Sequence, residues 1–182
     1  MSGMTVATFP HLVRFSDLFV ENRKAVLIMG TKRKIKEKTE GLVSRKRILV
    51  VDDHPVMRKG VVQWIEHSAD MEVCGEAESV LDAISLVEKS KPDLVLTDIS
   101  LKGKDGLELI KSLGAMNPEL PVLVLSMHSE LVYARRALRA GARGYIMKND
   151  GGERVVEAIR EIFQGRLVIS SVARALPNKA VK

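Results

Sequence analysis

Disulfide bonding within this 182-residue chain is excluded, because Cys74 is its only cysteine. A lone thiol fits a reducing cytoplasmic setting, and Cys74 is expected to fill space in a strand. Aromatic residues make up only 4%, so a core must be built from aliphatic side chains, and the hydrophobic share of 46% is enough for one. No stretch approaches the roughly 18 apolar residues that a membrane helix needs. The start carries Arg14 and Asp17 in place of the basic-then-apolar order of a leader. Neither G-x-G-x-x-G nor G-x-x-x-x-G-K-[ST] occurs, so a nucleotide or flavin carrier has no phosphate cradle here.

Acidic residues are outnumbered in the chain as a whole, 23 against 29 Lys/Arg, but not in its middle. The net +6 divides unevenly: residues 1–47 hold 11 Lys/Arg against 4 Asp/Glu, residues 48–170 hold 15 against 19, and residues 171–182 hold three against none. The central part is therefore acidic and both ends are basic. Basic ends can touch nucleic acid or an anionic surface, but no element able to enter a DNA groove accompanies them, and a solvated linker is the simpler reading. The expected organisation is a disordered extension and basic linker over 1–45, one domain over 46–170, and a tail over 171–182. Residues 1–28 match nothing familiar. Either they are native or translation starts at Met29, ahead of the basic Lys32-Arg33-Lys34.

Between Lys46 and Ser170, apolar runs alternate five times with helical periodicity. Strands are predicted at 47–51, 71–75, 93–97, 122–125 and 145–147. Helices are predicted from Pro55 to His67, Ser79 to Lys89, Leu107 to Ala115, Glu130 to Arg139 and Glu153 to Phe163. The first helix places Val56, Gly60, Val61, Trp64 and Ile65 on one face, and Pro55 suits its first turn. Gly103 and Gly106 bracket a polar loop, and Gly165 is a natural stop. Short continuous runs rich in apolar and β-branched residues, such as Ile48–Val51 and Leu94–Thr97, belong to strands covered on both faces. The fold class is α/β: a three-layer, doubly wound, five-stranded parallel sheet of flavodoxin-like type, in the order 2-1-3-4-5.

In that order strands one and three are neighbours, and each ends in acid: Asp52-Asp53 after the first, Asp98 after the third. Ligands of open α/β sheets collect beyond the carboxyl ends of the strands. Crowded carboxylates disfavour one another's ionisation unless a cation joins them, so the arrangement asks for a hard divalent ion. Strands four and five deliver Ser126 and Lys148 to the same rim. His54 and His128 flank it, and both read as solvent-side neighbours more than as ligands.

Val51-Asp52-Asp53-His54-Pro55, Leu96-Thr97-Asp98-Ile99-Ser100, Leu125-Ser126-Met127 and Gly144-Tyr145-Ile146-Met147-Lys148 resemble the receiver domain of bacterial response regulators, the CheY-like fold. The resemblance implies that Asp98 accepts a phosphoryl group from a sensor histidine kinase. It implies a Mg²⁺ ion held by Asp52, Asp53, Asp98 and the backbone carbonyl of Ser100, with Ser126 and Lys148 contacting the phosphoryl oxygens. Ser126 and Tyr145 would form the switch, and a homodimer could follow phosphorylation. Arg135, Arg136 and Arg139 would then meet Glu153 and Glu157 across a two-fold axis. Asn149-Asp150 follows Lys148 where many receivers have proline, and Gly144–Asp150 with Ile159-Arg160-Glu161-Ile162-Phe163-Gln164-Gly165 is similar to the nitrate-regulator branch. Members of that branch carry a LuxR-type DNA-binding domain behind the receiver, and residues 171–182 are far too short to form one. DNA would be reached only through such an output domain, and no membrane is involved. The expectation is a signalling protein acting on no outside substrate. The rival is a haloacid-dehalogenase-type aspartyl-phosphate phosphatase, which needs a second acid two residues after the nucleophile, where this chain has Ser100.

Overall fold

The computed structural model describes residues 44–101 and 104–170. Apart from Ser44 and Arg45, the expected extension lies outside the described residues, as do the possible start at Met29, Gly103 and the tail over 171–182. Five parallel strands form one sheet: β1 (Lys46–Val51), β2 (Met71–Ala77), β3 (Leu94–Thr97), β4 (Val122–Ser126) and β5 (Gly144–Met147). Its order is β2-β1-β3-β4-β5, as the sequence predicts. The helices are α1 (Pro55–Glu66), α2 (Val80–Ser90), α3 (Gly106–Met116), α4 (Glu130–Ala140) and α5 (Gly152–Phe163).

Alternation along each strand divides the core in two. Ile48, Val50, Leu94, Leu96, Leu123 and Ile146 face Val61 and Ile65 of α1 and Val155 and Ile159 of α5. Leu49, Val51, Val95, Val124 and Tyr145 face α2, α3 and α4 through Ala83, Ile110, Leu113, Ala134 and Ala137. Every residue of β3 and β4 is buried, as expected of central strands covered on both faces. Each fully buried aliphatic side chain contributes about 1.5–3 kcal/mol.

Local chemistry sets the boundaries. Ser79 caps α2, its Oγ accepting from Asp82 N at 3.2 Å. Lys91 closes that helix with a left-handed φ of 46°, one residue before Pro92. Gly141, at φ 114°, does the same for α4. β2 runs to Ala77, past the predicted stop at Gly75, because β1 continues to offer a ladder: Val51 pairs with Ala77.

Two expectations are corrected. The polar stretch before α3 is a short hairpin, Ser100–Leu101 pairing antiparallel with Lys104–Asp105. The buried face of α1 carries Arg58, Val61 and Ile65, whereas Val56 is 87% exposed. The first turn of α1 starts beyond the end of β1, so no sheet lies beneath Val56.

Candidate functional site

Register brings the acids together. Val51 pairs with Thr97, the last residues of β1 and β3, so Asp52 and Asp98 follow side by side. Asp98 N donates to Val51 O at 2.9 Å. On the far side Thr97 pairs with Val124 and Ser126 with Met147, which carries Ser126 and Lys148 to the same rim. Asp52, Asp53, Asp98, Ser126 and Lys148 are all buried.

Lys148 lies at the centre. Its Nζ donates to Asp52 Oδ2 and Asp98 Oδ2, both at 2.7 Å. Burial works against the ammonium, but the hydrogen bonds to Asp52 and Asp98 and their charges outweigh it, so its pKa stands above the ordinary lysine value. The remaining carboxylate oxygens are mostly engaged by backbone: Asp52 Oδ1 accepts from His54 N at 2.9 Å, and Asp98 Oδ1 from Ser100 N at 3.2 Å. Asp53 differs. Its Oδ1 lies 2.9 Å from His54 Nδ1, but off the line a hydrogen bond needs, and it is buried without a hydrogen-bond partner. One ligand atom each from Asp52, Asp53, His54 and Asp98 falls within 4.8 Å of the others. An orphaned carboxylate oxygen in a cluster of three acids fits a hard cation with oxygen ligands, whereas the exposed His54 imidazole suits other metals.

Tyr145 is buried beside Ser126, and its OH donates to His128 O at 2.9 Å. Burial raises the pKa of its phenol above the usual tyrosine value. The Ser126 hydroxyl accepts from His128 N at 3.2 Å. His128 is exposed, on the solvent side as expected, and there its Nε2 lies 2.7 Å from Ser100 Oγ and its ring stacks on Tyr133 at 4.6 Å. A cavity of about 550 Å³ opens over Asp98 and Lys148, with Met57, Trp64 and Met127 on its walls. Gly106 supports the site from behind: a Cβ there would overlap the Asp98 carbonyl and Ile99.

Arg58 escaped the sequence reading. It is buried, donating from Nη1 to Asp52 O at 2.6 Å, from Nε to Glu76 at 3.1 Å and from Nη2 to Glu78 at 2.6 Å. It ties the acidic turn to the end of β2. A charged residue three before the buried Val61 was the available signal, easily taken for a solvated position. The expected arginine–glutamate contacts of a dimer meet competition within the chain: Glu157 accepts from Arg154 at 3.0 Å, and Arg136 lies over the Tyr133 ring.

The profile of the response regulator receiver domain family matches residues 48–160. This chain belongs to that family. The receiver is 36% identical over 135 residues to the response regulator GacA of Pseudomonas aeruginosa, a match covering 74% of this chain and 63% of GacA. A LuxR-family two-component response regulator from an Aurantimonas species superposes with a TM-score of 0.68 at 33% identity, covering 72% of this chain and 94% of that one. The receiver domain of the NarL regulator of Mycobacterium tuberculosis gives 0.64 at 32% identity, covering 67% and 98%. The chain thus spans less than two thirds of the length of curated relatives such as GacA. It is a receiver of the two-component, LuxR/NarL-type regulators, and the phosphatase alternative finds no support. No helix among the described residues is long and apolar enough to cross a membrane.

Proposed function

We propose that residues 46–170 receive a phosphoryl group on Asp98 from a sensor histidine kinase and thereby control an output, here transcription. The observation that carries this reading is the Lys148 ammonium bridging Asp52 and Asp98 beside the orphaned Asp53 oxygen. The Asp98 carboxylate attacks the phosphorus of the donor, the donor's bond to phosphorus breaks, and an acyl phosphate remains on Asp98. Lys148 neutralises charge on the transferring oxygens, and the Ser126 hydroxyl donates to one of them. Asp52, Asp53, Asp98 and the Ser100 carbonyl would hold Mg²⁺, whose charge stabilises those same oxygens. Ser100 stands two residues after Asp98, where a phosphatase has the second acid that activates water, so that position supplies no base. The aspartyl phosphate therefore lasts as a signal, and self-phosphorylation from small donors and slow hydrolysis are the only chemistry. Ser126 and Tyr145 switch on loading, with a homodimer as one consequence. DNA is reached through an output domain such as longer relatives have room for.

Acetyl phosphate with Mg²⁺ should add one acid-stable, base-labile phosphoryl group, read by intact mass, and Asp98→Asn should abolish it. Phosphate retained in Asp98→Asn overturns the assignment.

A further inference from the structure

The chain does not leave the sheet when α5 ends. Gly165 takes a positive φ of 77°, and the backbone returns along the outer edge of β5. Val168 bridges Gly144 in parallel. Its N donates to Arg143 O at 3.1 Å, and its O accepts from Tyr145 N at 2.8 Å. Val168 is buried in the core layer that includes α1 and α5, whereas Ile169 packs on the opposite layer, the alternation of a strand. Gly144 permits the approach, since a Cβ there would overlap Val168 as well as Leu123. At the end of this strap, Ser170 N donates to Glu130 Oε1 at 2.7 Å, in the first turn of α4.

Both fixings reach the loop that follows Ser126. Tyr145 holds the strap through its backbone N and holds His128 O through its hydroxyl. Ser126 Oγ holds His128 N, and Glu130 lies only four residues beyond Ser126. Displacing the loop therefore acts on the strap at two separated points.

We propose that residues 166–170 form a strap closed on β5 and α4 in the unphosphorylated protein and released when Asp98 is phosphorylated. The proposal rests on the phosphoacceptor reading. A phosphoryl group on Asp98 draws the Ser126 hydroxyl towards it, which takes the acceptor away from His128 N and moves the loop with Glu130. Release frees the backbone edge of β5 at Arg143 and Tyr145. Coupling is reciprocal, so loosening the strap must favour loading. Ser170→Pro removes the donor N–H and Glu130→Ala removes the acceptor. Each should tighten beryllofluoride binding about fivefold, the equivalent of one net hydrogen bond. The double variant should gain little more, because both changes break one contact.

Amide hydrogen exchange on the 182-residue chain in Mg²⁺, with and without beryllofluoride, tests the release, and fluorine NMR reports loading. In the loaded protein the Val168 and Ser170 amides should exchange at least about tenfold faster, the size of a lost net bond or more. A loaded protein with unchanged protection over 166–170 overturns the strap, as does unchanged beryllofluoride affinity in both variants. Absence of any fluorine signal from bound beryllofluoride overturns the phosphoacceptor reading and the release together, an outcome distinct from an unmoved strap.

Discussion

Replacing Lys148 with methionine removes a charge while keeping most of the side-chain volume, and it separates the ammonium's contribution from its packing. In the wild type that ammonium sits 2.7 Å from carboxylate oxygens of both Asp52 and Asp98, all three groups buried. Breaking a buried pair by deleting one partner costs about 3–5 kcal/mol, mostly from the charge left behind. The cavity over the site lets water approach the stranded carboxylates, so the lower end, about 3 kcal/mol, is expected. With a urea m-value of about 2 kcal/mol/M, the midpoint in EDTA should fall by about 1.5 M. Magnesium should reverse most of this in Lys148→Met, because ion binding at about 100 times its Kd supplies 2.7 kcal/mol. The wild type should gain less, since its carboxylates already have a counter-charge. The effect also has a definite pH window. The folded pKa of Lys148 is raised above 10.5, so its contribution is fully present below that value and is lost as pH rises through the folded pKa. The gap between wild type and variant should be constant from about pH 6 to 9 and close only above about pH 10.5. Urea titrations followed by circular dichroism, in EDTA and in Mg²⁺, measure all of this. Equal midpoints in EDTA, or equal gains from Mg²⁺, would refute the reasoning.

Asp53→Ala should abolish most Mg²⁺ binding in calorimetry while costing little stability, since its buried oxygen has no hydrogen bond to lose. Asp98→Ala should likewise cost about 1 kcal/mol or less in urea, because it relieves carboxylate crowding and leaves Lys148 its bond to Asp52. Arg58→Met should lower stability by about 1–3 kcal/mol, as it strips the Asp52 carbonyl and two glutamates of a shared donor; an unchanged midpoint would count against its tying role. Tyr145→Phe should cost about 0.5–1.5 kcal/mol for the lost bond to His128 O. It should also remove part of the alkaline loss of stability, since a phenol with a raised folded pKa destabilises the fold as pH climbs above about 10.

Much of this protein could be read from residue order alone. Five alternations of short apolar runs with helical periodicity determine the α/β class, because a strand buried on both faces and an amphipathic helix each have one way to satisfy their surfaces. Acids placed directly after two apolar runs, with Ser126 and Lys148 after two more, determine a polar rim, since strand ends in such a sheet share one edge. What periodicity cannot supply is the neighbour across the sheet. The register of Val51 with Thr97 and of Ser126 with Met147 decides that Lys148 reaches Asp52, 96 residues away, while Asp53 keeps an unpaired oxygen. Arg58 is buried because Glu76 and Glu78 come round from β2 to meet it, a contact between elements that no local pattern encodes. Val56 goes the other way, exposed because its turn projects past the end of β1. The strap over 166–170 has a run of only three apolar residues, Leu167-Val168-Ile169, too short to register as a strand. It takes that form because an open edge of β5 presents Arg143 O and Tyr145 N to be paired. Local sequence encodes which surfaces must be buried, and only the folded chain decides which distant groups bury them.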